Sequence, residues 1–189
     1  DEAIGELLAL LDEVSLADNT LVVFFSDNGG SGDADNAPLR GRKGLMFEGG
    51  VRVPFIARFP GRIPAGSVCS EFLTSLELFP MFAHLAGADL PADVVYDGLD
   101  MLPVLTGEQK AKRTEMFWER RGDRAARVGH YKWVESARGS GLFDLTSDIG
   151  ERHDLSSENP EMLRKLQGRF AQWKSEMVEA EPRRPFRDF

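Results

Sequence analysis

TLVVFFSDNGG, at residues 20–30, sets the fold class of this chain. Residues 20–25 are β-branched, aliphatic or aromatic with no polar alternation. Such a run predicts a strand that is buried on both faces, as in the centre of a parallel α/β sheet. At Ser26 the run gives way to a polar, glycine-rich cluster, which is a turn signal. We therefore predict an α/β fold in which this cluster lies at the carboxyl end of a core strand.

Periodic segments on either side of this strand extend the α/β pattern. Apolar residues at helical spacing predict amphipathic helices over residues 1–14 and 75–86. Residues 53–59 predict a second strand, with Pro54 near its start, where a missing donor is tolerated. Residues 31–50 form a long polar loop, and loops of that length in compact domains tend to be functional or disordered. The sequence thus places a candidate functional loop directly after the first strand.

The pattern of the sequence changes after Pro91. Residues 116–119, 125–135 and 141–145 are short strand candidates separated by glycine-containing turns. They predict a small antiparallel sheet. A final helix is expected from about Pro160, because proline is favoured in the first turn of a helix.

Composition limits the classes of protein to which the chain can belong. Of 189 residues, 42% are hydrophobic and 29% charged, which is typical of a globular protein. The formal net charge of −8 argues against nucleic acid and anionic membranes as partners but permits a local basic pocket. One cysteine, Cys69, excludes an intrachain disulfide and leaves both a secreted or periplasmic and a cytoplasmic location open.

The sequence also bears on membrane association and on the start of the chain. No apolar run reaches the length of a membrane span, and no basic-then-apolar leader is present. The chain opens directly on a predicted helix without a methionine. We therefore expect its amino terminus to be a cut or processing point inside a larger fold, with a designed boundary or a truncated gene as alternatives.

Asp27 and Asn28 are the first candidate site residues. Ligands in open α/β sheets bind beyond the carboxyl ends of central strands. A carboxylate and an amide side by side there offer hard oxygen ligands, which suit calcium or magnesium. The alternative is an Asx-turn that only reverses the chain, and this short motif on its own favours that interpretation.

The second candidate is LRGRKG at residues 39–44, followed by EGGVRVP at residues 48–54. Cations flanked by glycines can bring positive charge close to a tetrahedral anion, lysine as a point charge and arginine as a planar fork. The alternative is a solvated basic turn. The spacing differs from that of the Gly-rich phosphate loop of nucleotide-binding proteins, so that class of site is rejected.

Several sequence blocks follow one another in a fixed order along the chain. SDNGG (26–30) is followed by the two motifs just described, and then by FPGRIPAGS (59–67), SLELFP (75–80), LAGADLP (85–91), DGLDMLPVLTG (97–107) and LFDLTSDIGERHDL (142–155). Together, these blocks closely resemble the sulfatase family over nearly the whole chain. The resemblance implies the carboxy-terminal portion of a sulfatase, an enzyme class that hydrolyses sulfate esters with the help of calcium.

The resemblance also assigns roles to single residues. In sulfatases the aspartate and asparagine that match Asp27 and Asn28 bind the active-site Ca²⁺, and the lysine that matches Lys43 contacts the sulfate group. Lys43 is thus the expected catalytic and substrate-binding residue, and Arg40 is expected beside it at the pocket. Calcium takes about six to eight oxygen ligands, so further ligands must come from elsewhere.

The family's nucleophile has no counterpart in this sequence. Sulfatases carry a Cys/Ser-x-Pro-x-Arg motif whose first residue is oxidised to formylglycine, and the surroundings of Cys69 lack its proline and arginine. Cys69 is therefore interpreted as a small core or edge residue. We expect no catalytic role for His84, His130 or His153, and a local ion pair between Glu48 and Arg52.

The resemblance implies a fold and a set of partners. Residues 1–114 are expected to be part of the α/β sandwich of the catalytic domain, and residues 115–189 a small antiparallel sheet packed with a carboxy-terminal helix. The expected partners are a small sulfated substrate and either the missing amino-terminal half or a second copy of the chain. Two alternatives stay open, namely an inactive truncated domain and a related phosphate or phosphonate ester hydrolase.

Overall fold

The computed structural model describes residues 1–180. The helices are α1 (Glu2–Glu13), α2 (Glu48–Val51), α3 (Leu78–Leu85), α4 (Leu102–Leu105) and α5 (Pro160–Ala180), and the strands are β1 (Val22–Phe25), β2 (Phe55–Arg58), β3 (Glu115–Arg120), β4 (Asp123–Val128), β5 (Tyr131–Ser136) and β6 (Gly139–Asp144). The chain forms two compact units. The first comprises residues 1–25 and 54–113, and the second residues 26–53 with the chain from Thr114 onward.

The first unit is built on a two-stranded antiparallel sheet of β1 and β2. Its core contains Met81 from α3 together with Met101 and Leu102 at the start of α4, and Val23 of β1 packs against this cluster. The carboxylate of Glu77 is almost fully buried, where it pairs with Arg113. It also accepts hydrogen bonds from the backbone and hydroxyl of Thr74, at 2.7 and 2.5 Å, which fixes the entry into α3.

The prediction that β1 is buried on both faces of a parallel sheet is wrong for this chain. β1 pairs with β2 in antiparallel fashion, with Phe24 opposite Ile56 and Phe25 opposite Phe55. The side chains of Phe24 and Ile56 are 49% and 63% exposed. The hydrophobic run is present as predicted, but in residues 1–180 no layer covers this face of the strand.

The second unit contains a four-stranded antiparallel meander in the order β3-β4-β5-β6. The small antiparallel sheet is therefore confirmed, with one correction. Residues 125–135 were expected to form a single strand, whereas the structure divides them between β4 and β5 at a tight turn. Gly129 permits this turn because it adopts a positive φ of 60°.

Helix α5 covers one face of the meander. A row of directly paired residues crosses this face from Phe117 through Ala126 and Trp133 to Leu142. The aromatic ring of Phe170 in α5 packs on the ring of Trp133, with centroids 5.6 Å apart in a T-shaped arrangement. The apolar face that helical spacing creates on α5 thus packs against the apolar face that period-two alternation creates on the sheet, and together they form one core.

The opposite face of the meander is covered by the loop that precedes α2. Met46 and Phe47 pack there against Ala125, Val134 and Phe143. A mixed α/β chain with a small antiparallel sheet and a packed final helix is thus confirmed, while the prediction for residues beyond 180 lies outside the described part. None of the helices formed by residues 1–180 has the length and hydropathy needed to cross a bilayer.

Candidate functional site

The polar residues after β1, which we call the strand-end cluster (Ser26–Gly30), pack tightly against helix α2. The N–H of Gly29 donates to the carbonyl of Gly50 at 3.0 Å. A Cβ atom built on Gly29 would lie only 1.8 Å from the carbonyl oxygen of Gly49. Two backbone segments therefore touch without any side chain between them, which only glycine at position 29 allows.

The other side of α2 is packed against the basic loop (Leu39–Gly44). The N–H of Gly49 donates to the carbonyl of Arg40 at 2.7 Å. A Cβ atom on Gly49 would lie 2.5 Å from the carbonyl oxygen of Gly41, and one on Gly50 would lie 2.1 Å from that of Leu45. The glycines of α2 thus allow three backbone segments to stack, with the short helix between the strand-end cluster and the basic loop.

Asn36 and Lys43 link the strand-end cluster to the basic loop directly. The amide of Asn36 accepts from the N–H of Gly30 at 3.1 Å and donates to the carbonyls of Gly30 and Gly41, both at 3.2 Å. The backbone N–H of Lys43 donates to the carbonyl of Gly30 at 3.0 Å. Two motifs separated by a long polar loop in the sequence are therefore held side by side through their backbones.

The predicted ligand side chains lie on this assembly without internal partners. Asp27 and Lys43 are exposed, and Asn28 is half-buried. Within the described residues, none of these side chains takes part in a hydrogen bond or an ion pair. At Asn28 it is the backbone carbonyl that accepts from the hydroxyl of Ser26, at 2.8 Å. Their functional groups are consequently free to bind a ligand from outside the chain.

The donor set fits calcium as part of a larger site. Asp27 and Asn28 present hard carboxylate and amide oxygens, the ligand type that calcium prefers. Across residues 1–180, no group of three or more His, Cys, Asp or Glu side chains is placed to hold a metal ion. The two residues can supply a minority of the ligands that calcium requires.

Arg40 is held more firmly than the other predicted residues. Its Nη1 donates to the backbone carbonyl of Glu151 at 2.9 Å, and its guanidinium carbon lies 3.9 Å from the centre of the Phe47 ring. This cation–π contact and hydrogen bond tie the basic loop to the turn at residues 150–152. A contact of Arg40 with substrate stays a prediction.

A fully buried lysine lies beneath α2 in the second unit. Lys132, in β5, is 0% exposed, and its Nζ lies 2.8 Å from Oε1 of Glu48 and 3.0 Å from Oε1 of Glu151. Oε2 of Glu151 also accepts from the backbone N–H of Glu48 at 2.6 Å. The predicted ion pair between Glu48 and Arg52 is confirmed at 2.6 Å. The sheet, α2 and the turn at residue 151 therefore share one buried charge cluster.

The two carboxylates of this cluster differ in their pKa values. Burial raises the pKa of Glu151 above its usual value, and attraction to Lys132 offsets this only in part. Burial also acts to raise the pKa of Glu48, but Lys132 and Arg52 outweigh it, so the pKa of Glu48 lies below its usual value. Glu48 is thus the carboxylate that most strongly retains its negative charge.

Sequence reasoning missed Lys132 and Glu151 as partners of Glu48. Lys132 lies between Tyr131 and Trp133 in a strand, and this apolar setting was the available signal for a buried cation. Cys69, interpreted as a core or edge residue, is exposed. Its neighbours have no regular structure that would cover it.

The histidines lie outside this assembly. Nδ1 of His84 lies 2.5 Å from Asp100, and Nε2 of His153 lies 3.0 Å from Glu158. The ring of His130 contacts that of Tyr131 in a tilted arrangement, with centroids 4.4 Å apart.

Comparisons with known proteins extend the resemblance seen in the sequence. A family model described as Sulfatase matches residues 1–88. The chain is 40% identical to human arylsulfatase A over 86% of its own length and 34% of that protein's. It is 35% identical to the N-acetylgalactosamine-6-sulfatase of Canis lupus familiaris, over 88% of the chain and 39% of the relative. It is 34% identical to a sulfatase of Formosa agariphila, over 85% of the chain and 34% of that protein.

Solved structures show the same likeness in three dimensions. The crystal structure of Ps i-CgsB in complex with k-i-k-neocarrahexaose superimposes with a TM-score of 0.83 at 34% identity, over 91% of this chain and 40% of that one. The chain thus spans between about a third and two-fifths of the length of these proteins. On both sequence and fold, this chain belongs to the sulfatase family.

Proposed function

We propose that this chain supplies the calcium-binding and sulfate-contacting residues of a sulfuric ester hydrolase. The observation that carries the proposal is the backbone contact between the strand-end cluster and the basic loop, made by the N–H of Lys43 and the carbonyl of Gly30 at 3.0 Å. It holds an acidic, oxygen-rich motif beside a cationic one. The side chains of Asp27, Asn28 and Lys43 have no partners within residues 1–180 that would compete with a ligand.

Each residue has a defined task in this proposal. Asp27 and Asn28 donate side-chain oxygens to Ca²⁺, and Lys43 holds the sulfate group as a point charge, with Arg40 bordering the same pocket. Calcium, when bound, supplies positive charge where negative charge develops as the ester is cleaved. The rigid glycine stacking around α2 keeps these groups in place before substrate arrives, so little reorganisation is needed.

The nucleophile must come from polypeptide outside this chain. The sequence contains no Cys/Ser-x-Pro-x-Arg motif from which formylglycine could form. Charge stabilisation without a nucleophile leaves the most difficult step uncatalysed, so the chain alone is expected to show negligible turnover. Because the relatives are substantially longer, the proposed activity belongs to an assembly of this chain with the remaining portion of the fold.

The proposed substrate is a small sulfate ester. Two relatives point to saccharides: one is named an N-acetylgalactosamine-6-sulfatase, and the other was solved with neocarrahexaose. Another is named an arylsulfatase. An aryl sulfate therefore serves as the test substrate, and sulfated sugars are the class against which specificity is measured.

Replacing Lys43 by methionine is expected to lower kcat/KM for an aryl sulfate by about 10²–10³-fold, because one donor to the developing anion is lost. The assay uses a polypeptide that joins this chain to a segment carrying the converted Cys/Ser-x-Pro-x-Arg motif.

Asp27→Asn should instead raise the calcium concentration needed for half-maximal activity, by at least about tenfold, because one charged ligand is removed. Extra calcium should restore activity to the Asp27 variant but not to the Lys43 variant.

Two exposed residues provide matched controls for these substitutions. Lys165 and Asp33 have no ion-pair partners among the described residues, and neither lies in the assembly described above. Lys165→Met and Asp33→Asn should leave kcat/KM and the calcium requirement unchanged. An Lys43→Met enzyme with activity within threefold of the parent would contradict the proposal, as would faster cleavage of phosphate esters than of sulfate esters.

We further propose that the open face of the β1–β2 sheet binds the remaining portion of the sulfatase polypeptide. Phe24 and Ile56, which lie opposite each other, expose apolar side chains on this face. In α1, none of the residues is buried, and Leu7 and Leu10 are 50% and 52% exposed. Exposed apolar surface of this extent is typical of an interface, and open strand edges add to its tendency to associate.

In the absence of that portion, the 189-residue chain is expected to self-associate at micromolar concentration. Ile56→Lys should shift the sedimentation profile toward monomer because it places a charge on the open face. Val95→Lys is the control, since Val95 is 93% exposed and lies in a loop rather than in β1 or β2. A parent chain that sediments as a monomer at all concentrations would count against this interface.

A further inference from the structure

An open surface cavity of about 680 Å³ lies beside the basic loop in the second unit. The walls are formed by residues 34–42 and by the turn at residues 150–152. A Cβ atom on Gly150 would lie 3.0 Å from the carbonyl oxygen of Pro38, so the two walls meet through bare backbone. The cavity is therefore a built feature of the loop packing.

Charged side chains dominate the lining of this cavity. Arg40, Arg42 and Arg152 contribute cations, and Asp35 and Glu151 contribute carboxylates. Each carboxylate is already engaged by another group of the chain. An oxygen of Asp35 accepts from the backbone N–H of Ala37 at 2.8 Å, and Glu151 pairs with the buried Lys132. The electrostatic balance of the cavity is positive on a chain whose formal net charge is −8.

Two of the three arginines have their guanidinium groups free. Arg40 is engaged with Glu151 and Phe47, as described above. Arg42 and Arg152 are exposed, and within residues 1–180 no carboxylate forms an ion pair with either of them. The backbone of Arg152 is nevertheless fixed, since its N–H donates to Asp148 at 2.7 Å. The cavity thus presents unpaired, fork-shaped donors on an ordered frame.

We propose that Arg42 and Arg152 bind a second oxyanion group on the substrate, next to the sulfate ester held by Lys43. The inference rests on the proposed function. Lys43 does not itself line the cavity, but it directly follows Arg42, which does, so their Cα atoms are about 3.8 Å apart and one extended substrate can reach both side chains. Guanidinium forks match sulfate and carboxylate oxygens in a bidentate manner. The substrate class is accordingly a polyanionic ester, such as a sugar with two sulfates or with one sulfate and one carboxylate.

Binding to the ¹⁵N-labelled 189-residue chain that carries Ile56→Lys, the substitution expected to favour the monomer, tests this inference without requiring turnover. The probes are N-acetylgalactosamine 6-sulfate, its 4,6-disulfate, and a 6-sulfated disaccharide that carries a uronate. At low ionic strength the disulfate is expected to bind about tenfold more tightly than the monosulfate, because charge-assisted hydrogen bonds are added. This gain should shrink as salt is raised. The uronate probe shows whether a carboxylate is accepted in place of the second sulfate.

Variants separate this subsite from the Lys43 site. Arg42→Gln and Arg152→Gln should remove the gain from the second oxyanion while leaving monosulfate binding within about twofold. Arg164→Gln, on the exposed side of α5, is the matched control. It should change neither the gain from the second oxyanion nor the affinity for the monosulfate. Lys43→Gln should weaken all probes and preserve their ratio; if it weakens none, the proposed function fails while the subsite stands. Equal affinity for one and two oxyanions, or a gain that persists in both arginine variants, would overturn the subsite.

Discussion

Replacing Lys132 by methionine will lower the free energy of unfolding of the second unit by roughly 3–5 kcal/mol. The ammonium group is fully buried and lies within 3.0 Å of two carboxylates. Its removal would leave Glu151 with no cation and Glu48 with Arg52 alone, in surroundings that exclude water. The cost arises mainly from the buried negative charge left behind rather than from the value of the pair itself.

Denaturant unfolding followed by tryptophan fluorescence measures this effect, since Trp133 lies beside Lys132 in β5. Lys174→Met is the matched control. Lys174 pairs with Glu119, but these side chains are 48% and 31% exposed, so about 0.2–1 kcal/mol at most is expected. Adding Glu48→Gln and Glu151→Gln to the Lys132 variant should recover much of the loss, because the uncompensated charges disappear. A Lys132 variant no less stable than the Lys174 variant would show that the cluster is not a structural element.

Replacing Gly29 by alanine will destabilise the second unit by about 3 kcal/mol or more. The added methyl group would lie 1.8 Å from the carbonyl oxygen of Gly49, and rotation of a side chain cannot relieve a collision with backbone. The strand-end cluster and α2 must separate, which breaks the hydrogen bond from Gly29 to Gly50. Because Asp27 and Asn28 lie just before this contact, calcium affinity should fall together with stability.

Gly168→Ala provides the opposite expectation for the same chemical change. Gly168 lies within α5, and a Cβ atom there would meet nothing within 4 Å. Alanine at that position should raise stability by roughly 0.5–1 kcal/mol, since glycine is costly inside a helix. Thermal unfolding of the two variants should therefore shift in opposite directions. A Gly29→Ala variant as stable as the parent would mean that the three-segment stacking is looser than the structure indicates.

The elements that follow from local pattern could be predicted from the sequence. The predicted helix over residues 1–14 is α1, and the run at residues 20–25 contains β1. The final helix, expected from about Pro160, is α5. The Glu48–Arg52 pair could be predicted because its members are one helical turn apart.

Features that depend on distant parts of the chain could not be predicted. The apolar neighbours of Lys132 hint at its burial, but they do not identify its partners, because only the tertiary fold brings Glu48 and Glu151 to it. The prediction that β1 is buried on both faces was wrong. A hydrophobic run shows that a strand is suited to burial, but it does not show that the residues that would cover the strand belong to this chain. The roles of Asp27, Asn28, Lys43 and Arg40 remain predictions, although backbone hydrogen bonds hold the strand-end cluster and the basic loop together.

The path of the chain between its two units has a consequence for dissecting the protein. Residues 26–53 leave β1, join the second unit and return to β2, so that neither unit is one continuous stretch of sequence. A gene cut at residue 113 would not yield two modules: the downstream product would lack Phe47 and Glu48, which complete its core and neutralise its buried lysine. The second unit could be excised only as two peptides or by a new junction that joins residue 53 to residue 114.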